Sequence, residues 1–131
     1  MISGRAIDYI VQAVEEEKKA AIGARGLFHS DHEAWAVTLE EVEELLELLD
    51  EDKIYVDLDN VWGKIRRDEL ISEGDLYDIY KWAQRCAEEA VQVMAMIQKW
   101  GESNEQCKPE EGRSGGDEAA EDGRGRVFAG V

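Results

Sequence analysis

Glu41 and Glu44 stand three residues apart in "TLEEVEELLELL", and Glu89 and Gln92 stand three apart in "EEAVQV". Side chains at i and i+3 share one side of a helix, so each pair can offer two oxygen donors in one direction. At about 100° per residue, Ala34, Val37, Glu41, Leu45 and Leu48 form one stripe of a helix, and Trp35, Leu39, Val42, Leu46 and Leu49 form a second beside it. Glu41 therefore falls inside an apolar sector and Glu44 borders it. Glu43 and Glu47 face away, and Glu40 is intermediate. On the second segment Glu89 borders the stripe of Cys86, Ala90 and Val93, with Arg85 and Gln92 just beyond and Glu88 facing away. Two such helices packed through their stripes would bring both pairs to one space. An ionised carboxylate there needs a counter-charge. A hard divalent cation, Mg²⁺ or Mn²⁺, suits an all-oxygen donor set. Ion pairing of Glu41 with Lys18 or Arg85 is the alternative that the projection leaves open.

Four helices are expected to position these groups. Ser3 can cap a first helix over about 5–22, whose apolar residues Ile7, Ile10, Val11, Val14, Ala21 and Ile22 recur at helical spacing until Gly23 and Gly26. Ser30 and Glu33 have capping-box spacing, which starts a second helix near Asp31 and runs it to about Glu51. The alternation of Ile54, Val56 and Leu58 has no second strand to pair with, so 54–59 reads as an extended connection. Asp59 or Asn60 then caps a third helix carrying Val61, Trp62, Ile65 and Leu70, weakened by Gly63. Gly74 and Asp75 make a stop and a cap. A fourth helix over about 76–100 follows, with Ile79, Trp82, Ala83, Cys86, Ala90, Val93, Ile97 and Trp100 in steps of three and four.

Beyond Trp100 the composition turns to Gly, Glu, Asp, Ser and Arg, so 1–100 is expected to be one all-α domain and 101–131 an acidic, Gly-rich disordered tail. The chain of 131 residues carries a net charge of −16, of which the tail holds −4 and residues 1–100 hold −12. Such a surface repels a phosphate backbone and argues against direct nucleic-acid binding. There is no apolar run of membrane-spanning length and no secretory-type N-terminus, and Cys86 and Cys107 do not form a disulfide framework. A soluble cytoplasmic protein without a membrane partner is the expectation. The double apolar stripe of the second helix is more than one small bundle can cover, which points to a homo-oligomer.

Both acidic segments resemble the signature of the MazG-like all-α nucleoside triphosphate pyrophosphohydrolases, in which E-E-x-x-E on one helix is followed by E-x-x-D on a later one. Glu40-Glu41-Val42-Glu43-Glu44 satisfies the first part, and Glu89-Ala90-Val91-Gln92 satisfies the second except that Gln92 stands where Asp is usual. The segments "FHSDHEAWAVTLEEVEELLELL" and "EEAVQVMAMIQKW" are similar to the short phage- and prophage-type members. In two further departures, the stretch between the motifs is longer than usual and no clear helix follows Trp100. The resemblance implies a four-helix-type bundle with an acidic metal-binding face, assembled as a homodimer or homotetramer, that cleaves a (d)NTP to monophosphate and pyrophosphate with Mg²⁺. It implies Glu41, Glu44 and Glu89 as metal ligands and Gln92 as a neutral oxygen ligand or water holder. Glu40 would orient the attacking water, and Lys18, Lys81 and Arg85 would be the cationic partners of the phosphates.

Other residues have plainer readings. His29 and His32 sit at a helix entrance without zinc-ligand spacing and read as surface or capping residues. "DLDN" at 57–60 lacks the glycine and distal glutamate of a calcium loop and reads as a turn and a cap. Consecutive His-Ser-Asp at 29–31 does not make a nucleophilic triad. Trp35, Trp62, Trp82 and Trp100 read mainly as core or interface residues. A non-enzymatic acidic helical phage-type protein, docking on a basic partner, is the competing class. A ferritin-type di-metal bundle lacks its Glu-x-x-His pairs.

Overall fold

The computed structural model describes residues 1–50 and 52–106, and among these the protein is all-helical with no strand. Helix α1 spans Gly4–Arg25. The Ser3 hydroxyl accepts the Ala6 N–H at 3.1 Å, as the sequence suggests. The helix passes through Gly23 and ends at Gly26, whose φ of 76° is the left-handed conformation that glycine adopts without a Cβ clash. The Gly26 N–H closes the last turn on the Ile22 carbonyl at 2.7 Å.

Helix α2 spans Asp31–Asp50. Ser30 Oγ accepts the Glu33 N–H at 3.1 Å, while Glu33 Oε1 reaches one residue past the expected donor and accepts the His29 N–H at 3.1 Å. The first stripe of the projection is the inward one: Ala34 and Leu48 are buried, and Val37, Glu41 and Leu45 are partly buried. Trp35, Leu39, Leu46 and Leu49 of the second stripe are exposed.

Helix α3 spans Lys53–Arg66, so the expected extended connection at 54–59 is helical and "DLDN" lies inside a helix. Ile54 and Leu58 are four residues apart, a spacing that fits both periods. With no strand to pair with, the backbone groups of this segment are satisfied internally only as helix. The helix turns Ile54, Asp57, Val61 and Lys64 to its less exposed side.

Helix α4 spans Glu73–Gln106, longer at both ends than the expected 76–100. Its start is set by a reciprocal cap: Ser72 Oγ accepts the Asp75 N–H at 3.1 Å, and Asp75 Oδ2 accepts the Ser72 N–H at 3.0 Å. Ser72 is thus the cap in place of Asp75. At the other end the helix continues through Gly101 to Gln106, with Ser103 buried in its last turns. Residues 107–131, with Cys107 and the rest of the expected tail, lie outside the described residues.

The described chain divides into two compact units, Met1–Leu39 with the described residues from Val91 onward, and Glu40–Ala90. In the first unit Val14, Phe28, Ala34, Ala95 and Met96 form the core, with Ala21, Val37, Val91, Met94 and Trp100 packed on it. Buried Ser103 stitches this unit: its hydroxyl accepts the Phe28 N–H at 2.9 Å and donates to the Lys99 carbonyl at 2.7 Å. The Lys99 ammonium lies 4.2 Å from the centre of the Phe28 ring. Burial lowers the Lys99 pKa and Glu33 only partly offsets it, with Arg25 adding to the lowering. Trp100 Nε1 donates to Asp31 Oδ1 at 2.8 Å. In the second unit Leu48 and Ile54 are buried, and Trp82 Nε1 donates to the Leu48 carbonyl at 2.9 Å. Lys64 Nζ meets Asp75 Oδ2 at 2.6 Å, tying the last turns of α3 to the first turn of α4.

Replacing Ser103 by Ala strands a buried N–H, and chemical denaturation is expected to register a loss of about 1–3 kcal/mol. No loss would mean that the Phe28 amide finds another partner. The Lys64 hydrogen bond first, then those from Ser72, hold the Asp75 carboxyl down from 3.8 to about 2. A depressed carboxyl stabilises the fold above its unfolded value and loses that contribution as pH falls through the folded one. Asp75→Asn is therefore expected to flatten the fall in melting temperature between about pH 4 and 2. An acid limb identical to wild type in thermal melts would exclude this pair as its cause.

Candidate metal centre

Glu41, Glu44 and Glu89 each offer one carboxylate oxygen, and these three atoms lie within 4.8 Å of one another. All three belong to the Glu40–Ala90 unit, two on α2 and one on α4. The Trp82–Leu48 hydrogen bond explains the meeting. Two helical turns back from Leu48 lead to Glu41, and two turns forward from Trp82 lead to Glu89, so antiparallel α2 and α4 bring these levels together. Glu44 lies between them on α2 and forms the exposed rim, while Glu41 and Glu89 are partly buried.

Within the cluster the electrostatics at Glu89 are unfavourable to its charge. Burial first, then the charge of Glu44 and a hydrogen bond shared with it, and then Glu88, push the Glu89 carboxyl above its ordinary 4.5, with Arg85 opposing. Glu89 Oε2 is buried and has no hydrogen-bond partner among the described residues. A desolvated oxygen of this kind beside two further carboxylates fits a hard cation. Around one Mg²⁺ neighbouring oxygens are about 3.0 Å and opposite ones about 4.2 Å apart, so the three carboxylates would have to draw together on a bound ion.

The remaining expected site residues are distributed as follows. Glu40 is exposed on α2 next to Glu41. Arg85 is exposed on α4 one turn before Glu89 and acts on its charge. Lys81 is exposed a further turn back and donates to Gln84 Oε1 at 3.4 Å. Gln92 and Lys18 belong to the first unit. Gln92 is partly buried there. The Lys18 ammonium is held by Glu15 at 3.0 Å and Glu102 at 3.1 Å, so its charge is already engaged by two carboxylates. Burial opposes the Lys18 charge, but these partners outweigh it and raise the pKa. His29 is exposed, with Nδ1 3.4 Å from Glu33 Oε2, in keeping with a capping role. Trp82 and Trp100 are partly buried and their indole N–H groups are hydrogen-bonded, and Trp35 and Trp62 are exposed.

One carboxylate that the sequence reading assigned to a turn has a different setting. Asp57 is partly buried in α3, and its Oδ2 is a second buried oxygen without a hydrogen-bond partner among the described residues. Its i+3 and i−4 spacing to Ile54 and Val61 was the available signal, hidden by the alternating reading of the segment. Comparison with known protein families, curated proteins and solved structures found no match for this chain.

A carboxyl with a raised native pKa binds its proton more tightly folded than unfolded, so the fold loses stability as pH rises above the ordinary 4.5. In metal-free buffer, Glu89→Gln is expected to melt higher than wild type at pH 7 and to converge with it at pH 4. An offset independent of pH in thermal melts would show that the carboxyl is not destabilised.

Proposed function

We propose that this chain is a Mg²⁺-dependent nucleoside triphosphate pyrophosphohydrolase of the MazG-like kind, or a weakened nucleotide-binding relative, working as an oligomeric helical bundle. The supporting observation is the convergence of Glu41, Glu44 and Glu89. Groups from two segments far apart in sequence, and named by the resemblance, come within reach of one cation. Glu41, Glu44 and Glu89 would hold Mg²⁺ or Mn²⁺, with the Gln92 side-chain oxygen as a neutral donor or water holder. The bound cation would neutralise charge developing on the triphosphate oxygens.

The chain's own residues supply the rest. The Glu40 carboxylate orients the attacking water and accepts its proton. Water adds at the α-phosphorus, the bond to the bridging α–β oxygen breaks, and pyrophosphate leaves. Arg85 and Lys81, on successive turns of α4, offer cationic charge to the phosphates. Gln92 in place of Asp removes one negative charge from the donor set, and a weaker hold on the cation follows. The competing reading, an acidic docking protein without catalysis, draws support from the exposed stripe of α2, whose charged residues are all acidic.

The deciding assay incubates the protein with each dNTP and NTP plus Mg²⁺ or Mn²⁺ and measures pyrophosphate. Turnover is expected to need the metal and to fall to background in Glu41→Gln with the fold retained. Gln92→Asp is expected to tighten Mg²⁺ binding in a calorimetric titration. Absence of both turnover and metal-dependent thermal stabilisation would favour the docking reading.

A further inference from the structure

Trp35 and Leu39 on α2 and Ile97 on α4 are 59%, 37% and 36% exposed, although all three belong to the unit with the larger apolar core. The Trp100–Asp31 hydrogen bond fixes the level at which antiparallel α2 and α4 meet in this unit, and one turn along from it Trp35 and Ile97 come level. Leu39 follows one turn further on α2. An indole and two aliphatic groups in one such row are costly to leave in water. The charge of α2 limits what can cover them. That helix carries eight acidic residues and no Lys or Arg, so a second α2 would set acid against acid. A suitable occupant brings apolar side chains together with positive charge.

We propose that residues 124–131 of the same chain, "RGRVFAGV", dock on this row. After Gln106 the only Val, Ile, Leu, Met or aromatic residues are Val127, Phe128 and Val131, and they stand beside Arg124 and Arg126 in a stretch without an acid. The seventeen residues before them, 107–123, hold six acids and two bases, so the acidic face of α2 repels that stretch and attracts the one that follows. The place where the chain leaves α4 suits this occupant. Gln106 is six residues, or about 9 Å of helix, past Trp100, and Trp35 is about 6 Å past Asp31 in the opposite direction, so roughly 15 Å of axis separates the two. Seventeen residues can span up to about 56 Å. A tether of this length gives an effective concentration on the order of millimolar, at which a contact too weak to hold separate molecules is populated within one chain. The row belongs to the other unit from the carboxylate cluster, and its occupation does not rest on the pyrophosphohydrolase reading.

The test is limited trypsin digestion of the full chain read by mass spectrometry, because Arg124 and Arg126 are themselves cleavage sites and Arg113 is an internal reference in the preceding stretch. A synthetic peptide of residues 107–131 supplies the undocked rates. Relative to Arg113 and to that peptide, cleavage after Arg124 and Arg126 is expected to be about tenfold slower in the wild-type chain, as for a tethered segment whose dissociation constant is a tenth of its effective concentration. Trp35→Asp and, separately, Leu39→Asp should each remove the protection, with circular dichroism confirming that the helices remain. Trp62→Asp on α3 should leave it in place. The protection should also be constant through a dilution series of the protein. Protection that grows with protein concentration would put the segment on a second copy and overturn docking within one chain. Wild-type cleavage at the peptide's rates overturns it as well, and so does protection that survives both α2 variants or disappears in Trp62→Asp.

Discussion

Three carboxylates on two antiparallel helices face one another at a distance where their charges repel, and one of their oxygens is buried without a donor. Two helices meeting through apolar stripes would normally place methyl groups at this level, and Leu48 with the Trp82 indole does so two turns away. Glu41 and Glu89 place carboxylates there instead, within the Glu40–Ala90 unit. The indole hydrogen bond fixes the levels of α2 and α4, and the Lys64–Asp75 pair clamps α3 to the start of α4.

The remaining energetics separate along the chain. The first unit relies on a small apolar core and on a few satisfied polar groups, with Ser103 serving Phe28 and Lys99 at once and Trp100 holding Asp31. The second unit has less buried apolar surface and more exposed aromatic surface, concentrated on α3 and the first turns of α4. Tyr77 and Tyr80 also line a shallow apolar depression with Leu76. The carboxylate cluster and most of the exposed aromatic surface therefore lie in the same unit, while the other holds the larger apolar core.

Legibility differed from element to element for identifiable reasons. Helices α1 and α2 were readable because a serine cap and a sustained 3.6-residue period coincide at each. The C-terminal limit of α1 was not, since an interior glycine and a terminal glycine look alike until one of them takes a positive φ. Helix α3 was misjudged because a five-residue alternation contains the i, i+4 pair of a helix, and Asp57 was misassigned with it. The start of α4 depended on Ser72, whose partner Asp75 drew attention as a cap in its own right. Its end depended on Ser103, a polar residue buried far from the segment it serves.

The sequence by itself determined the helical character, the inward stripe of α2 and the inclusion of Glu41 and Glu89 near apolar faces, because these follow from local periodicity. It also determined the acidity that sets what partners the surface can accept. The tertiary structure alone decided which acids converge, since the depth to which α2 and α4 overlap is fixed by the Trp82–Leu48 hydrogen bond and not by either helix. It likewise decided that Lys18 is engaged by Glu15 and Glu102, that one oxygen of Asp57 is buried, and that the apolar row of α3 is left facing water. Each of these depends on a neighbour distant in the chain, which no local pattern encodes.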